Sequence, residues 1–280
     1  MKGLILAAGY GTRFLPVTKT IPKEMLPLID KPSIAFIIEE FLLSGIRDIT
    51  IITSRRKKSL EDYLDREMEL EGLFEKEGNR KKLDLIRPYD ANISFIRQQE
   101  MRGTGHALLL TRALMGDEPF VVAYPDDLHI GEVPLARQLM DVHERTGCTV
   151  LSTLHNPPNL ERYGILALGE DGEHVTDIVE KPAPGTEPSR EASIGRYLYT
   201  PDIFHHLAEG WEKHTSGEYF HTYALKKQMD RNGVVFRPLE GERLDTGSPA
   251  GYLRAILRYA ARDPEMAAEI LDAAAELRKS

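Results

Sequence analysis

The chain has one cysteine, which excludes an internal disulfide and any metal centre built from several cysteines. Cys148, ahead of Thr149-Val150-Leu151, reads as an inert buried thiol, and so little cysteine suits a reducing compartment. Long apolar runs are missing too. Lys2-Gly3-Leu4-Ile5-Leu6 is too short for a signal-peptide core, and nothing approaches the roughly 20 residues of a membrane span. A cytoplasmic protein without a membrane partner is expected. Positive charge is also scarce: 36 Lys and Arg against 44 Asp and Glu give a formal net charge of -8. No nucleic-acid partner is expected, since a general binder would need a basic surface. The basic run Arg55-Arg56-Lys57-Lys58 reads as a solvated helix start rather than a targeting signal. Two familiar phosphate loops fail as well. No G-x-x-x-x-G-K followed by Ser or Thr begins at Gly9 or Gly11. A G-x-G-x-x-G from Gly9 would need glycine where Phe14 stands, which argues against a dehydrogenase.

What is present is concentrated at the start. The stretch from Leu4 to Pro16 is an apolar run of strand length that opens into Gly9-Tyr10-Gly11-Thr12-Arg13, with Lys23 close behind. Glycines let a backbone turn tightly and bring its N–H groups against a ligand. Arg13 and Lys23 supply the positive charge a polyphosphate needs. Gly-Tyr-Gly alone fits an ordinary strand-to-helix turn equally well. The continuation from Thr18 to Leu28 favours a nucleoside-triphosphate site, being too irregular for a helix and stiffened by Pro22 and Pro27.

Strand and helix signals alternate through the first half. Strands are expected at Leu4 to Ala7, Ile49 to Thr53, Ile93 to Arg97 and Phe120 to Tyr124. Helices are expected from Ser33 to Ser44, stopped by Gly45, and from Gly105 to Leu114. A charged helical stretch from Ser59 to about Lys82 should break at Gly72 and Gly78. This alternation predicts parallel strands joined by right-handed crossovers, with ligands beyond their carboxyl ends. The second half is richer in strands, at Val150 to Leu154, Ile165 to Leu168, Val175 to Glu180 and Ile194 to Tyr199. A proline loop at Pro182 to Pro188 follows the third of these. A helix from about Thr222 to Asn232, a strand Val234 to Arg237, and helices from about Ser248 and Pro264 complete the chain, with no visible repeat.

The polar groups of interest fall at equivalent strand ends, as one shared site requires: Gly9 to Arg13, Gln98-Gln99, and Asp126-Asp127. Asp126 could hold Mg²⁺ with few protein ligands and leave room for phosphate oxygens, though Pro-Asp-Asp is also a common turn. Asp245-Thr246-Gly247 offers a second carboxylate and is likewise a turn signal by itself. Glu180-Lys181 could meet sugar hydroxyls and a phosphate, or form a surface ion pair. Tyr163-Gly164 could place an amide against a ligand, or only start a strand. His106 has no partner pattern for a general base and reads as structural.

These residues carry a family resemblance. From Ala8 to Pro27 the chain follows A-G-x-G-T-R-x-L-P-x-T-K-x-x-P-K-E-M-L-P. Arg97-Gln98, Gly105-His106-Ala107, Pro125-Asp126, Tyr163-Gly164, Glu180-Lys181-Pro182 and Gly195-Arg196-Tyr197 then match in order. Over nearly its whole length the chain resembles the bacterial UTP–glucose-1-phosphate uridylyltransferases of the sugar-nucleotidyltransferase superfamily. The charged segment near Tyr63 to Lys76, including Glu69-Leu70-Glu71, favours that branch over thymidylyl and adenylyl relatives.

The resemblance implies an α/β fold: a three-layer, Rossmann-like, mostly parallel sheet with a β-rich sugar-binding half and C-terminal helices. It implies one nucleotidyltransferase domain over 1–280, with a nucleotide half to about 130, a sugar half to about 247 and helices beyond. The implied reaction is Mg²⁺-dependent: UTP plus glucose 1-phosphate gives UDP-glucose plus pyrophosphate. By the same resemblance Ala7, Ala8, Gly9, Gln98 and Gly103 hold the uridine, and Gly11, Thr12 and Arg13 cradle the triphosphate. Arg13 and Lys23 are the catalytic cations, Asp126 and Asp245 hold the metal, and Gly164, Glu180 and Lys181 position the sugar phosphate. A homodimer or homotetramer is implied.

One segment departs from the pattern. Where the family has G-E-x-Q-L-T-D, this chain has Gly217-Glu218-Tyr219-Phe220-His221-Thr222-Tyr223. The sugar is therefore more open than the reaction type. The same chemistry with dTTP or another sugar 1-phosphate is one alternative, and a non-catalytic sugar-nucleotide-binding regulator is another. Retention of Arg13, Lys23, Asp126 and Asp245 together argues against the regulator.

Overall fold

Alternate residues of the first strand, β1 (Lys2–Leu6), serve opposite cores: Leu4 packs into one and Ile5 into the other, both fully buried. That period of two is what a strand between two helical layers requires. The computed structural model describes residues 1–278. After β1 come the two-residue strands β2 (Pro27–Leu28) and β3 (Lys31–Pro32), helix α1 (Ser33–Leu43) and β4 (Asp48–Thr53). Helices α2 (Lys58–Leu64), α3 (Met68–Lys76) and α4 (Arg80–Leu85) lead to β5 (Asn92–Arg97). Then follow α5 (Thr104–Leu109), α6 (Arg112–Met115), β6 (Phe120–Ala123), β7 (Asp127–Ile130) and α7 (Leu135–Thr146). Strands β8 (Thr149–His155), β9 (Gly164–Leu168), β10 (Val175–Glu180) and β11 (Glu191–Tyr199) precede α8 (Ile203–Lys213) and α9 (Thr222–Met229). The chain continues through β12 (Val234–Pro238), β13 (Glu242–Asp245), α10 (Pro249–Ala260) and α11 (Pro264–Leu277).

The large sheet runs β10-β9-β11-β6-β1-β4-β5, with β8 on β11 and β12 on β8. As expected, β1, β4, β5 and β6 pair in parallel, in registers such as Ile5 with Ile51 and with Ala123. The other half of the sheet mixes directions: β11 runs antiparallel to β6 and β8, while β12 is parallel to β8. A register shift between Ser193 and Tyr197 lets the start of β11 reach β9, where Ala192 pairs with Ile165. One face is covered by α1, α7 and α10, the other by α5, α8 and α9. The α/β architecture with helices on both faces of the sheet is thus the one anticipated.

A buried ion pair ties the halves. Arg196 of β11 donates from Nε and Nη2 to the two carboxylate oxygens of Glu40 in α1, each at 2.9 Å. Glu40 also accepts the Ala136 N–H at 2.9 Å, so its charge is fully engaged.

Several expectations need correction. The charged stretch does not break at Gly72, which lies inside α3; the break falls at Asp65 to Glu67, and Gly78 does end the helix. The helix expected from Gly105 to Leu114 is two, α5 and α6, separated at Leu110-Thr111. Helices α7 and α8 and strands β7 and β13 were not anticipated. Cys148 is only half-buried, with Sγ 3.5 Å from the Thr146 carbonyl. Among the described residues no helix is long and apolar enough to cross a membrane.

Candidate active site

Beyond β1 the Ala7 N–H still serves the sheet, donating to the Ile52 carbonyl at 2.9 Å. The chain then leaves the sheet through Gly9, where the space a Cβ would fill is open. Gly11 adopts φ +68°, a left-handed conformation that glycine takes without strain. Its carbonyl accepts the Thr18 hydroxyl at 2.7 Å. The loop is built of short 3₁₀ turns, Thr12–Phe14, Val17–Lys19 and Lys23–Met25, as its prolines demand. The last turn aims consecutive charges in opposite directions. Lys23 projects into the cleft and donates to Asp126 Oδ2 at 2.6 Å. Glu24 projects into the core and takes the Lys57 ammonium on both oxygens, each at 2.7 Å.

That second pair corrects the reading of the basic run: Lys57 is buried, while Arg55 and Arg56 line a cavity of about 490 Å³ that also includes Tyr10 and Gln98. Burial works to lower the Lys57 pKa against the opposing pull of Glu24, and the net direction is down. For Lys23 burial also favours the neutral amine, but Asp126 and Glu24 outweigh it and hold the pKa above its ordinary value. Asp126 mirrors this: burial would raise its pKa, and Lys23 beside it brings it below the usual carboxylate range.

The second carboxylate arrives through β13, which pairs antiparallel with β7 and sets Asp245 opposite Asp127. The Thr246 N–H then donates to the Asp126 carbonyl at 2.8 Å, fixing the two turns together. Arg13 Nη1 donates to the Gly247 carbonyl at 3.0 Å, and the Gly247 N–H donates to Asp245 Oδ1 at 2.9 Å. Arg13, Lys23, Asp126 and Asp245 therefore converge, although they lie far apart in sequence. Asp127 faces the other way, taking Arg243 on both oxygens at 2.7 and 2.9 Å and the Gly195 N–H at 2.8 Å.

The donor set fits a small, hard cation. A Cβ on Gly247 would stand 3.2 Å from Asp126 Oδ2, 3.2 Å from Asp245 Oδ1 and 3.6 Å from Arg13 Nη1. Glycine there leaves a space between two carboxylates that any side chain would fill. Few protein oxygens with room for other ligands are what Mg²⁺ accepts.

Two cavities lie beside this cluster and share Thr104 and Tyr124 in their walls. One, of about 290 Å³, is lined by Ala8, Gly9, Lys23, Gln98, Gly103 and Glu218, among others. Gln98 is held in place by bonds from Nε2 to the Gly103 carbonyl at 3.1 Å and to His106 Nδ1 at 3.2 Å. Ala7, Gly11, Thr12 and Arg13 do not line it. Ala7 is wholly buried, Gly11 is half-buried, and Thr12 and Arg13 are exposed. The other cavity, of about 540 Å³, is lined by Gly164, Glu180, Lys181, Tyr197, Phe220 and His221. Gly164 sits opposite Glu180 in the β9–β10 ladder, and a Cβ there would come within 3.0 Å of Glu180 Oε1. Lys181 holds φ +47°, uncommon for a non-glycine residue, and its N–H is fixed on the Tyr163 carbonyl at 2.9 Å.

Thr104 and Tyr124 line both cavities, and neither carried a signal in the sequence. Thr104 Oγ1 lies 3.0 Å from Nδ1 of His221, whose pKa burial pushes down to about 4, leaving a neutral ring. The departing segment is thus part of the wall: Phe220 is half-exposed against the cavity, and the Tyr223 hydroxyl donates to Glu209 at 3.1 Å.

The nucleotidyl transferase family model matches residues 2–262. A UTP–glucose-1-phosphate uridylyltransferase of Staphylococcus epidermidis is 40% identical over 275 residues, covering 96% of this chain and 95% of that protein. A UTP-bound UGPase from Acinetobacter baumannii superposes with TM-score 0.87 at 30% identity, covering 99% of each chain. A UDP-glucose pyrophosphorylase complexed with UDP-glucose superposes with TM-score 0.79 at 37% identity, covering 94% of this chain and 99% of the other.

Proposed function

The chain belongs to the nucleotidyl transferase family, among the bacterial UTP–glucose-1-phosphate uridylyltransferases, and from that membership we propose that it makes UDP-glucose and pyrophosphate from UTP and glucose 1-phosphate. The observation that carries the reading is the convergence of Lys23, Arg13, Asp126 and Asp245, with Lys23 lining one of two cavities that Thr104 and Tyr124 join.

In this reading Ala7, Ala8, Gly9, Gln98 and Gly103 receive the uridine, and Gly11, Thr12 and Arg13 receive the triphosphate. Gly164, Glu180 and Lys181 position the sugar phosphate. A phosphate oxygen of glucose 1-phosphate attacks the α-phosphorus of UTP in line. The new P–O bond forms as the bond to the bridging oxygen breaks, and pyrophosphate leaves with that electron pair. The nucleophile is already anionic, so no general base is needed; the obstacle is the approach of two anions. Lys23, Arg13 and Lys181 offset that repulsion and hold the reacting atoms in line. Asp126 and Asp245 would hold Mg²⁺, which when bound supplies further charge stabilisation on the phosphates. A cytoplasmic location and a homodimeric or homotetrameric assembly belong to the same proposal and rest on the resemblance alone.

A second reading, the same transfer to a different sugar 1-phosphate, is favoured by one observation: the aromatic Phe220 lines the sugar-side cavity. The test is pyrophosphate release with Mg²⁺ and glucose 1-phosphate, in parallel with UTP, dTTP, ATP, CTP and GTP, then with UTP and a series of sugar 1-phosphates. Strong preference for UTP and glucose 1-phosphate supports the main reading. Release only with another sugar selects the second, and release with none points to a binding role.

A further inference from the structure

The first turns of α8 bring together a donor set unrelated to the cleft. His205, His206 and Glu209 each offer a ligand atom, and these atoms lie within 4.8 Å of one another. The spacing explains it: on a helix Glu209 falls over the turn that carries both histidines, four residues from one and three from the other. A second observation is independent of that clustering. His206 is only 4% exposed, yet neither Nδ1 nor Nε2 has a hydrogen-bond partner. A buried imidazole with both nitrogens idle is desolvated without compensation, which native interiors rarely tolerate. Asp202 Oδ2 stands 3.8 Å from His206 Nε2, beyond hydrogen-bond reach, and Asp202 Oδ1 already accepts Thr200 and Gln228.

We propose that His205, His206 and Glu209 bind a divalent transition-metal ion of the Zn²⁺, Co²⁺ or Ni²⁺ class. Two imidazoles and one carboxylate are the donors these ions favour. Bonds of about 2.0–2.1 Å set tetrahedral donors roughly 3.3 Å apart, so modest side-chain rotation closes the site. The bonds that Glu209 already accepts, from Lys213 and Tyr223, both end on Oε1. Asp202 is close enough to become the carboxylate that orients a ligating imidazole through its other nitrogen. The oxygen-only pair Asp126 and Asp245 suits a harder ion, so the two sites differ in chemistry as well as place.

The experiment uses the full chain without an affinity tag, stripped of metal by a chelator. ZnCl₂ is titrated by calorimetry, and Co²⁺ by its visible absorption. The expected result is one ion per chain, a Co²⁺ spectrum of nitrogen and oxygen ligation, and a melting temperature that rises with Zn²⁺. His205→Ala and Glu209→Gln, both away from the sheet core, should each weaken binding by at least about tenfold and lose the thermal shift. Absence of saturable one-to-one binding overturns the proposal. So does equal Zn²⁺ affinity in wild type and both variants, which would place the ion on other surface histidines.

Discussion

Removing the Lys23 ammonium separates its two roles. In the structure it sits 2.6 Å from Asp126 Oδ2, with side-chain exposures of 21% and 26%. The Lys23→Ala variant loses one charge-assisted hydrogen bond in a partly shielded place, worth about 1.5 kcal/mol of stability, the low end for such bonds. The catalytic loss should be larger. An oriented donor at a site of developing charge contributes roughly 3 kcal/mol of barrier, a fall in kcat on the order of a hundredfold. If Lys23 acted only by bracing Asp126, Lys23→Ala and Asp126→Asn would give the same kinetic phenotype, and combining them would add little. If it acts on the phosphates, Lys23→Ala lowers kcat with little change in Mg²⁺ requirement, while Asp126→Asn raises that requirement. The assay is steady-state pyrophosphate release at saturating substrates over a Mg²⁺ series, with urea denaturation of each variant. The pKa direction adds a check. Lys23 is held above its ordinary 10.5, so its charge and its part of the stability persist below that pH and are lost only as pH rises past it. A folded Lys23→Ala enzyme whose kcat stays within about threefold of wild type would refute the assignment.

The remaining predictions concern the metal, the core and the altered segment. Asp126→Asn and Asp245→Asn should each raise the Mg²⁺ concentration for half-maximal rate; an unchanged Mg²⁺ curve in either removes that residue as a ligand. Lys57→Met leaves Glu24, wholly buried, without its cation and should cost about 3–5 kcal/mol in urea denaturation. Adding Glu24→Gln should recover much of that loss, and a single variant within about 1 kcal/mol of wild type contradicts the buried pair. His221, lowered to about 4 from an ordinary 6.5, takes up protons more readily unfolded than folded. Its contribution is present above pH 6.5 and lost as pH falls toward 4, on the order of 3 kcal/mol across that window. His221→Leu should flatten this acid limb of the stability profile, and an unchanged slope would show that other groups cause it.

The parts that were legible in the sequence share a cause: their signal is local. Strands β1, β4 and β6 are buried on both faces and read as nearly continuous apolar runs, β5 at the sheet edge carries its signal in Ile93, Phe95 and Ile96, and α1 ends on Gly45. The strand-end rule then collected Gly9 to Arg13, Gln98 and Asp126 on one side. What was missed depends on distant partners. Lys57 stands in a run of surface-type charges, and nothing nearby announces that Glu24, 33 residues earlier, will bury it. Gly72 carries a break signal in the sequence, but a glycine in an exposed helix costs only about 1 kcal/mol, which the rest of α3 tolerates. Strands β7 and β13 have four residues each, too few to show a period, yet their pairing is what carries Asp245 to Asp126.

The altered segment is built apart from the cluster of Arg13, Lys23, Asp126 and Asp245. The Tyr219 N–H donates to the Arg102 carbonyl at 2.7 Å, and its carbonyl accepts the Gly105 N–H at 2.8 Å. A Cβ on Gly103, at φ +93°, would come within 2.4 Å of that same carbonyl, so the contact requires glycine. The loop from Arg102 to Gly105 and the segment from Tyr219 to His221 are therefore one piece, closed on the far side by the Thr104–His221 bond. That piece contributes Gly103 and Thr104 to the smaller cavity, and Thr104, Phe220 and His221 to the larger one. Arg13, Lys23, Asp126 and Asp245 come from other elements and are cross-linked through Gly247 and Thr246 instead. Substitutions from 220 to 222 can therefore reshape the wall of the larger cavity without moving Arg13, Lys23, Asp126 or Asp245. Under the proposed function, a change of sugar is then open to this chain at little cost to phosphoryl transfer, whereas a change of chemistry would require the cross-linked charges themselves to move.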